Sequence, residues 1–582
     1  MMRRMKKILR RLSILVLAII SFIGIKTTKA VGYMYSSDGK IIESSAGYSV
    51  TEENIFNTLS DSWKNGFNDE TSTFNSPSDL YIYKDEITNE ETIYIVDSES
   101  NKLYIFNKDL VWTKTVSRFP IDPGKYTIAQ LSKIKTATQS DSKGTLASTS
   151  FWTADSQRKY ESVKNIPFAN RTSEENLYID CYALAGVYRG KRPLRDANYK
   201  IVLDENEQTV YEDILCLCDS KNRQILILNP KTFEVIQIVS EPEGVNFTAK
   251  FEPVKMVVDS SGRMYVISTG VYEGILLINY DGSFMTFVGV NYTTLSFWDA
   301  LKRSQKTEEQ LAQETTILQT SFNNLTIDKK GFLYTVSGAI SNADGTKSTD
   351  TMIKKINSTN SDVLKRNGYN KPIGDLITIK TGANAGSSNF AAITVNEYGV
   401  YTVADTKGNK LFTYDNEGNL LYISGGSGQQ VTDIKIPVAV AYQGENLLVL
   451  DKGNKCVMRF KPTDFAKSIN KAVYYEYIGD ADKAADEWQN VIHANPAYEL
   501  AYVGVGKKLY EEGRYQEAML NFEKGADVKY FSRAYKMYRD DIIGKYFPYV
   551  GGGILILIAL NITLKVVKKA KKRKTGVEED EL

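Results

Sequence analysis

The chain has 582 residues, 24% of them charged and 42% hydrophobic, a globular composition spread over roughly three or four times the length of one domain. Lysine plus arginine (72) and aspartate plus glutamate (70) nearly cancel, so the basic excess expected of a nucleic-acid-binding protein is absent. The single histidine, His493, excludes a multi-histidine zinc site and would have to serve alone in any Ser-His-Asp triad.

The first eleven residues, MMRRMKKILRR, are basic, and Leu12 to Ile25 is an uninterrupted run of 14 apolar and small residues. That combination is a leader with a hydrophobic stretch too short to span a bilayer comfortably. Thr28-Lys29-Ala30 puts small residues where a signal peptidase reads, so residues 1–30 are expected to be a signal peptide cleaved after Ala30. An uncleaved anchor is the alternative.

Next, YMYSSDGKIIESSAGY from Tyr33 reads as a hairpin around Asp38-Gly39, expected to pair with the last blade of the repeat that follows and so cover an exposed sheet edge. The repeat shows as DSESNKLYIF from Asp97, DSKNRQILIL from Asp219, DTKGNKLFTY from Asp405 and DKGNKCVMRF from Asp451. Each has an apolar strand ending in Asp, a polar turn and a second alternating strand. The strands upstream, TIYIVD, ILCLCD, VYTVAD and NLLVLD, are apolar on both faces and read as inner strands. Two further units carry Asp-x-x-Gly-x-x-Tyr at Asp259, Gly262, Tyr265 and at Asp328, Gly331, Tyr334, ending at Ser268 and Ser337. Six four-stranded meanders anchored at 97, 219, 268, 337, 405 and 451 predict a radial propeller, because a lone meander cannot bury both its faces. The wide anchor intervals predict insertions near 121–213 and 291–322. The first holds Trp152, Tyr160, Tyr178, Tyr182, Tyr188 and Tyr199; the second is expected to be helical, with Ser296 and Thr307 as N-caps.

These units resemble the NHL-repeat propeller family, whose blades look like P-x-x-hydrophobic-x-hydrophobic-D-x-x-G-x-hydrophobic-Y-hydrophobic-x-D-x-x-N-x-R/K, over about residues 75–465. Some six-bladed propellers of that kind are lactonases or lyases that hold a cation such as calcium on carboxylates. The repeated Asp97, Asp219, Asp405 and Asp451 invite that reading, but recurrence with the fold argues that they accept backbone hydrogen bonds in turns. Cys216 and Cys218 fall on one strand face as small buried hydrophobes, and the four cysteines of the chain are too sparse for a disulfide framework. The glycine-rich stretches at Gly382 and Gly425 lack the Gly-Lys-Ser/Thr ending of a phosphate loop.

After Lys467 the period becomes 34 residues, aligning Ala472 with Gly506, Gly479 with Gly513, Ala484 with Ala518 and Trp488 with Phe522, which resembles tetratricopeptide repeats over 468–545. A Tyr-rich helix, Tyr530–Tyr538, is expected to cap them. Tyr546 to Leu564 then has no formal charge for 19 residues, a transmembrane helix expected over 546–567, followed by the basic start of a tail, 568–582. The seven Lys and Arg from Lys565 to Lys574 place that tail in the cytoplasm and the large portion, with a net charge near −9, outside the cell.

The expected fold is therefore mainly β: a signal peptide (1–30), a six-bladed propeller (31–467), a small helical domain, and one membrane anchor. GFLYTVS, the Trp298-containing insert, the helical repeat and the lysine-tailed anchor together look like Gram-positive surface proteins associated with carbohydrate ABC uptake systems. That resemblance implies a non-enzymatic binding or scaffold role, with an ABC permease or solute-binding subunit and an oligosaccharide as partners and no cofactor. The rival is a cation-dependent propeller enzyme with bound calcium. Trp112, Trp152 and Trp298 are the candidate sugar-binding residues, since flat aromatic faces suit sugar rings.

Overall fold

The structure, a computed structural model, describes residues 31–574 except 58–59, 61–62, 64–73, 141–143, 197, 243–249, 291–320, 342–346, 350 and 378–385. The leader, Trp298, the N-caps Ser296 and Thr307, part of the Gly382 stretch and the tail beyond residue 574 lie outside the described residues. The chain divides into two compact units, 1–467 and 468–582.

The first unit is a six-bladed propeller. Blade 1 comprises Pro77–Lys84, Glu91–Asp97, Lys102–Asn107 and Trp112–Val116, hydrogen-bonded in that order as an antiparallel meander. Blade 2 is Leu184–Pro193, Tyr211–Asp219, Gln224–Leu228 and Val235–Ser240. Blade 3 is Pro253–Val258, Met264–Ser268, Ile275–Ile278 and Phe284–Val288. Among the described residues blade 4 has three strands, Phe322–Ile327, Leu333–Ser337 and Ile353–Ile356, with an Ile356–Asp362 bridge in place of a fourth. Blade 5 is Phe390–Val395, Tyr401–Asp405, Lys410–Tyr414 and Leu420–Gly425. Blade 6 takes Pro437–Gln443, Asn446–Asp451 and Cys456–Pro462 from the end of the unit. The first strands of successive blades neighbour one another all the way round, and that of blade 6 returns to that of blade 1, which closes the ring.

Each of the six anchor positions ends the second strand of its blade. The apolar TIYIVD, ILCLCD, VYTVAD and NLLVLD segments are therefore second strands, sandwiched within their sheets, and the preceding strands form the inner ring. The sequence pattern reports burial on both faces, and a second strand satisfies that as fully as an innermost one.

Blade 6 is completed from the N-terminus, but not by the hairpin. Val31–Tyr35 and Ile41–Ser45 do pair around Asp38-Gly39, with Gly39 at φ 77°, yet they form their own two-stranded sheet. Two shorter pieces close the blade: Tyr48–Ser49 against Pro462 and Lys461, and Ile55–Phe56 against Met458 and Val457. The edge is covered as expected, by Tyr48 at the end of the 33–48 segment and by residues that follow it rather than by the hairpin strands.

The first insertion is also shorter than 121–213. The excursion between blades 1 and 2 covers residues 117–183 and includes helices α1 (Ile128–Lys133) and α2 (Ala154–Val163), each opened by a threonine capping box at Thr127 and Thr153. Leu184–Pro193, with Tyr188, belongs to blade 2 itself, and Tyr199 lies in a long hairpin connection, 194–210, held by the Arg195–Ile201 and Leu203–Thr209 bridges. Two excursions at opposite ends of one strand had summed to a single wide interval.

Every first strand carries a register shift at its second residue, so the residue after it is re-aimed at the same level in all six blades: Asp79, Gly186, Lys255, Asn324, Ala392 and Ala439. Lys255 Nζ meets both carboxylate oxygens of Asp79 at 2.6 and 2.7 Å, two blades away, and Val187 N–H donates to Asp79 at 2.9 Å. Gly186 leaves the way open: a Cβ there would lie 2.5 Å from the Val254 carbonyl. Asp79 is 2% exposed, and burial pushes its carboxyl up against the opposing pull of the Lys255 ammonium.

The second unit contains α4 (Ala481–Ala494), α5 (Glu499–Glu511), α6 (Tyr515–Lys524) and α7 (Val528–Lys574), preceded by α3 (Asp464–Ile478), whose first residues belong to the first unit. Gly479 and Gly513 end their helices at positive φ, 80° and 76°. A Cβ on Gly504 would sit 2.1 Å from the Trp488 ring, and one on Gly506 2.6 Å from Phe522, so these glycines set how closely the helices approach. The Tyr530–Tyr538 segment and the apolar stretch are one 47-residue helix, about 70 Å long, rather than a cap followed by a separate span. Among the described residues α7 alone is long and apolar enough to cross a membrane.

Removing one partner of the Asp79–Lys255 pair strands a buried charge, which costs about 3–5 kcal/mol, whereas replacing both with apolar residues costs much less. Lys255→Met should therefore lower the unfolding midpoint in denaturant sharply, and Asp79→Leu with Lys255→Met should recover most of the loss.

Candidate functional site

In an antiparallel meander the connections alternate between two ends, so the second-to-third turns and the links between blades share one end of the ring. At that end open the 117–183 excursion, the connection between the second and third strands of blade 4, and the link from blade 4 to blade 5 that carries Asp375. The opposite end carries short turns apart from the 194–210 hairpin. Loops held on a rigid scaffold are where recognition concentrates, so the elaborated end is the candidate site.

Its floor is built by the anchor residues. Asp97 accepts from the N–H groups of Asn75 and Ser76 at 2.6 and 2.9 Å and from Glu99 and Ser100 at 3.0 and 2.9 Å. Asp405 accepts from Asn389, Lys407 and Gly408 N–H and from Ser388 Oγ. Asp451 accepts from Lys435, Ile436 and Asn454 N–H. Each thus ties the entry of its blade's first strand to the turn after the second. Asp219 holds only one backbone donor, Tyr182, with Asn222 and Gln224 side chains completing its shell, and burial pushes its carboxyl up to about 7. The turn residue four beyond the Asp has positive φ in all four blades: Asn101, Arg223, Asn409 and Lys455. Where asparagine stands one place earlier, at Asn222 and Asn454, its amide donates to the Asp instead. The lone pairs a calcium ion would need are used by the fold, and the described residues hold no group of three or more His, Cys, Asp or Glu suited to a metal.

Cys181, Cys216, Cys218 and Cys456 are all buried thiols. Burial pushes Cys216 and Cys456 up to about 12 and raises Cys181 and Cys218 well above the ordinary thiol range, the reverse of what a nucleophile needs. Cys216 and Cys218 face one apolar cluster while Leu215 and Leu217 face the next. His493 is exposed on α4, in the other unit.

One polar cluster at this end was not legible in the sequence. Asp375, in the link between blades 4 and 5, accepts from Lys410 Nζ at 2.6 Å, from Tyr33 Oη at 2.7 Å and from Tyr35 Oη. Lys410 Nζ also donates to Tyr33 Oη at 2.6 Å and lies over its ring. Ser388 Oγ bridges the Asp375 N–H to the anchor Asp405. Burial acts to raise the Asp375 carboxyl, but the hydrogen bonds from Lys410, Tyr35 and Tyr33 outweigh it and hold it below the usual range. Burial and Asp375 together push Tyr35 up to about 12 and Tyr33 higher, so neither phenol is primed as a base. The cluster docks the N-terminal hairpin on blade 5.

Trp112 begins the fourth strand of blade 1, half-buried, its Nε1 donating to Thr115 Oγ1 at 2.9 Å. It packs on the apolar cluster shared by blades 6 and 1. Trp152 lies half-buried in the 117–183 excursion, 6.3 Å from the Phe151 ring and 6.0 Å from Tyr160, against the cluster between blades 1 and 2. The two tryptophans belong to different clusters on either side of blade 1, and only Trp152 belongs to the elaborated end.

No protein-family model matches the chain. Among solved structures it aligns with virginiamycin B lyase from Staphylococcus aureus at 11% identity, covering 72% of this chain and 100% of that one, with a TM-score of 0.33. It aligns with hydrazine synthase of Kuenenia stuttgartiensis at 8% identity over 68% of this chain and 98% of that one, with a TM-score of 0.34. The blade count rests on the strand pairing of this chain itself. A curated relative, small glutamine-rich tetratricopeptide repeat-containing protein 2 of Mycosarcoma maydis, is 36% identical over 59 residues, 10% of this chain. The chain spans 17% of that relative's length.

An aspartate whose folded-state pKa is depressed stabilises above its ordinary value near 3.9 and loses that contribution as pH falls through the folded value. Hydrogen exchange in residues 31–45, corrected for intrinsic rates, should therefore rise below about pH 4, while the second strands of the blades stay protected. Asp375→Asn should show the same loosening at neutral pH.

Proposed function

We propose that the protein is a membrane-tethered binding or scaffold protein whose propeller displays a recognition face outside the cell, serving as an accessory to a carbohydrate ABC uptake system. The observation that carries a binding role over a reaction is the contrast at the elaborated end. Excursions of the described chain open there, while Asp97, Asp405 and Asp451 are occupied by backbone donors and burial pushes Cys181, Tyr33 and Tyr35 away from reactive protonation states. A carbohydrate as the ligand, and a permease or solute-binding subunit as the partner, rest on the resemblance of the sequence to NHL-type surface proteins of that kind. The outward orientation rests on the leader and on the seven basic residues that follow the apolar stretch of α7.

The half-exposed Trp152, flanked by Phe151 and Tyr160, offers the aromatic face a sugar ring would use. A glycan array probed with detergent-solubilised protein should return a defined oligosaccharide, and Trp152→Ala should weaken that binding about tenfold or more at a temperature where the variant is still fully folded. Co-purification from membranes should return transporter subunits. An empty array together with a pulldown free of permease and solute-binding subunits would overturn the reading.

A further inference from the structure

Helix α7 carries two features that anchoring alone does not use. The first is charge. Residues 528–545 hold five basic residues, Lys529, Arg533, Lys536, Arg539 and Lys545, against Asp540 and Asp541, a net +3, whereas residues 468–527 hold six basic and eleven acidic residues, a net −5. Lys529, Arg533 and Lys536 are spaced i, i+4, i+7 and share one exposed face of the helix, joined by Ile543. The face turned to the neighbouring helices is another: Tyr530 stacks on Phe522 with ring centroids 5.4 Å apart, and Ala534 is fully buried.

The second feature is a missing rung. Pro548 has no N–H to give to the carbonyl of Gly544, and its ring crowds that carbonyl. Prolines are where helices bend sharply. This one falls at the junction between the charged neck and the uncharged stretch beginning at Tyr546, where Tyr546, Phe547 and Tyr549 supply the aromatic girdle of a membrane interface.

Distance decides whether the basic face can meet lipid. At about 1.5 Å per residue, Lys529 stands roughly 25 Å and Lys536 about 15 Å above Tyr546 on an upright helix. Both exceed the Debye length of about 8–10 Å, so an upright neck leaves most of this charge without an anionic surface to act on.

We propose that residues 528–545 are a reclining neck for an anionic phospholipid surface: a bend at Gly544–Pro548 lays the Lys529–Arg533–Lys536 face and Ile543 on the headgroups. The net-negative repeat helices, packed on another side of α7, are repelled by the same surface and turn away from it. This rests on α7 crossing the membrane, and the experiment separates the two claims.

Because the four native cysteines are buried, an environment-sensitive fluorophore can be placed selectively at Ser532→Cys, beside the basic face, or at Ile556→Cys, in the apolar stretch. The full-length protein is placed in nanodiscs of neutral phosphatidylcholine, or of phosphatidylcholine mixed with phosphatidylglycerol. The Ile556→Cys label should report hydrocarbon in both. The Ser532→Cys label should shift to the blue and be quenched by spin-labelled headgroups only on the anionic discs. High salt, or the triple variant Lys529→Glu, Arg533→Glu, Lys536→Glu, should abolish that response, and Pro548→Ala should weaken it. A Ser532→Cys label that stays in water on anionic discs, or that responds equally in the triple variant, overturns the neck while leaving the membrane span intact. An Ile556→Cys label in water overturns both.

Discussion

The ring depends on how a blade ties its own beginning to its middle. Strand entry leaves backbone N–H groups that the ladder cannot use, and at a closed ring's end they lie where water is partly excluded. From the last position of the second strand, Asp97 and Asp451 each satisfy two of these groups and Asp405 one, with the Ser388 hydroxyl beside it, and each also accepts from the following turn. Blade 3 makes a weaker version with Ser268 Oγ accepting from Glu252 N–H at 2.8 Å. In blade 4 the hydroxyl of Ser337 turns to the Gly338 carbonyl, and its N–H bonds Met352. That same blade has three strands and is bracketed by excursions, so the least tied blade is also the most interrupted.

A carboxylate committed to four donors is a poor place to look for catalysis, because its acceptor sites already serve the fold. Hydrogen bonds to a charged acceptor are roughly twice as strong as neutral ones. A cation would have to displace them and release the strand entries. Asp219 is the partial exception, with one backbone donor and a raised carboxyl, but its remaining partners are the amides of Asn222 and Gln224, and Cys181 closes its other side.

What the sequence made legible follows from which constraints repeat. The anchor aspartates recur with the same flanking pattern, so blade number and the strand ends at the anchors could be read directly, including the two blades where serine replaces aspartate, but not which strand of the blade each one ends. Asp79 and Lys255 were visible as polar residues two places after Pro77 and Pro253, but their pairing spans 176 residues and needs Gly186 between them, which no local pattern encodes. The N-terminal hairpin was recognisable from Asp38-Gly39, yet alternation says that a strand exists without naming the edge it joins. Tyr33 and Tyr35 settle that choice by reaching Asp375, a residue in an irregular link with no periodicity to betray it.

In the helical unit the 34-residue offset marked the aromatic positions Trp488 and Phe522, but it aligned Gly506 with Ala472 and passed over Gly504, where a Cβ would sit 2.1 Å from the Trp488 ring. The break expected between cap and anchor is absent for a related reason. Propensity alone would end a helix near Gly544 and Pro548, at about 1 and 3 kcal/mol relative to alanine. Residues 528–538 are held helical by packing through Tyr530 and Ala534, and an apolar stretch in lipid must bond its own backbone, so both sides favour continuation. The cost is then concentrated in one unbonded carbonyl at Gly544, which makes the junction the most bendable point of an otherwise stiff rod.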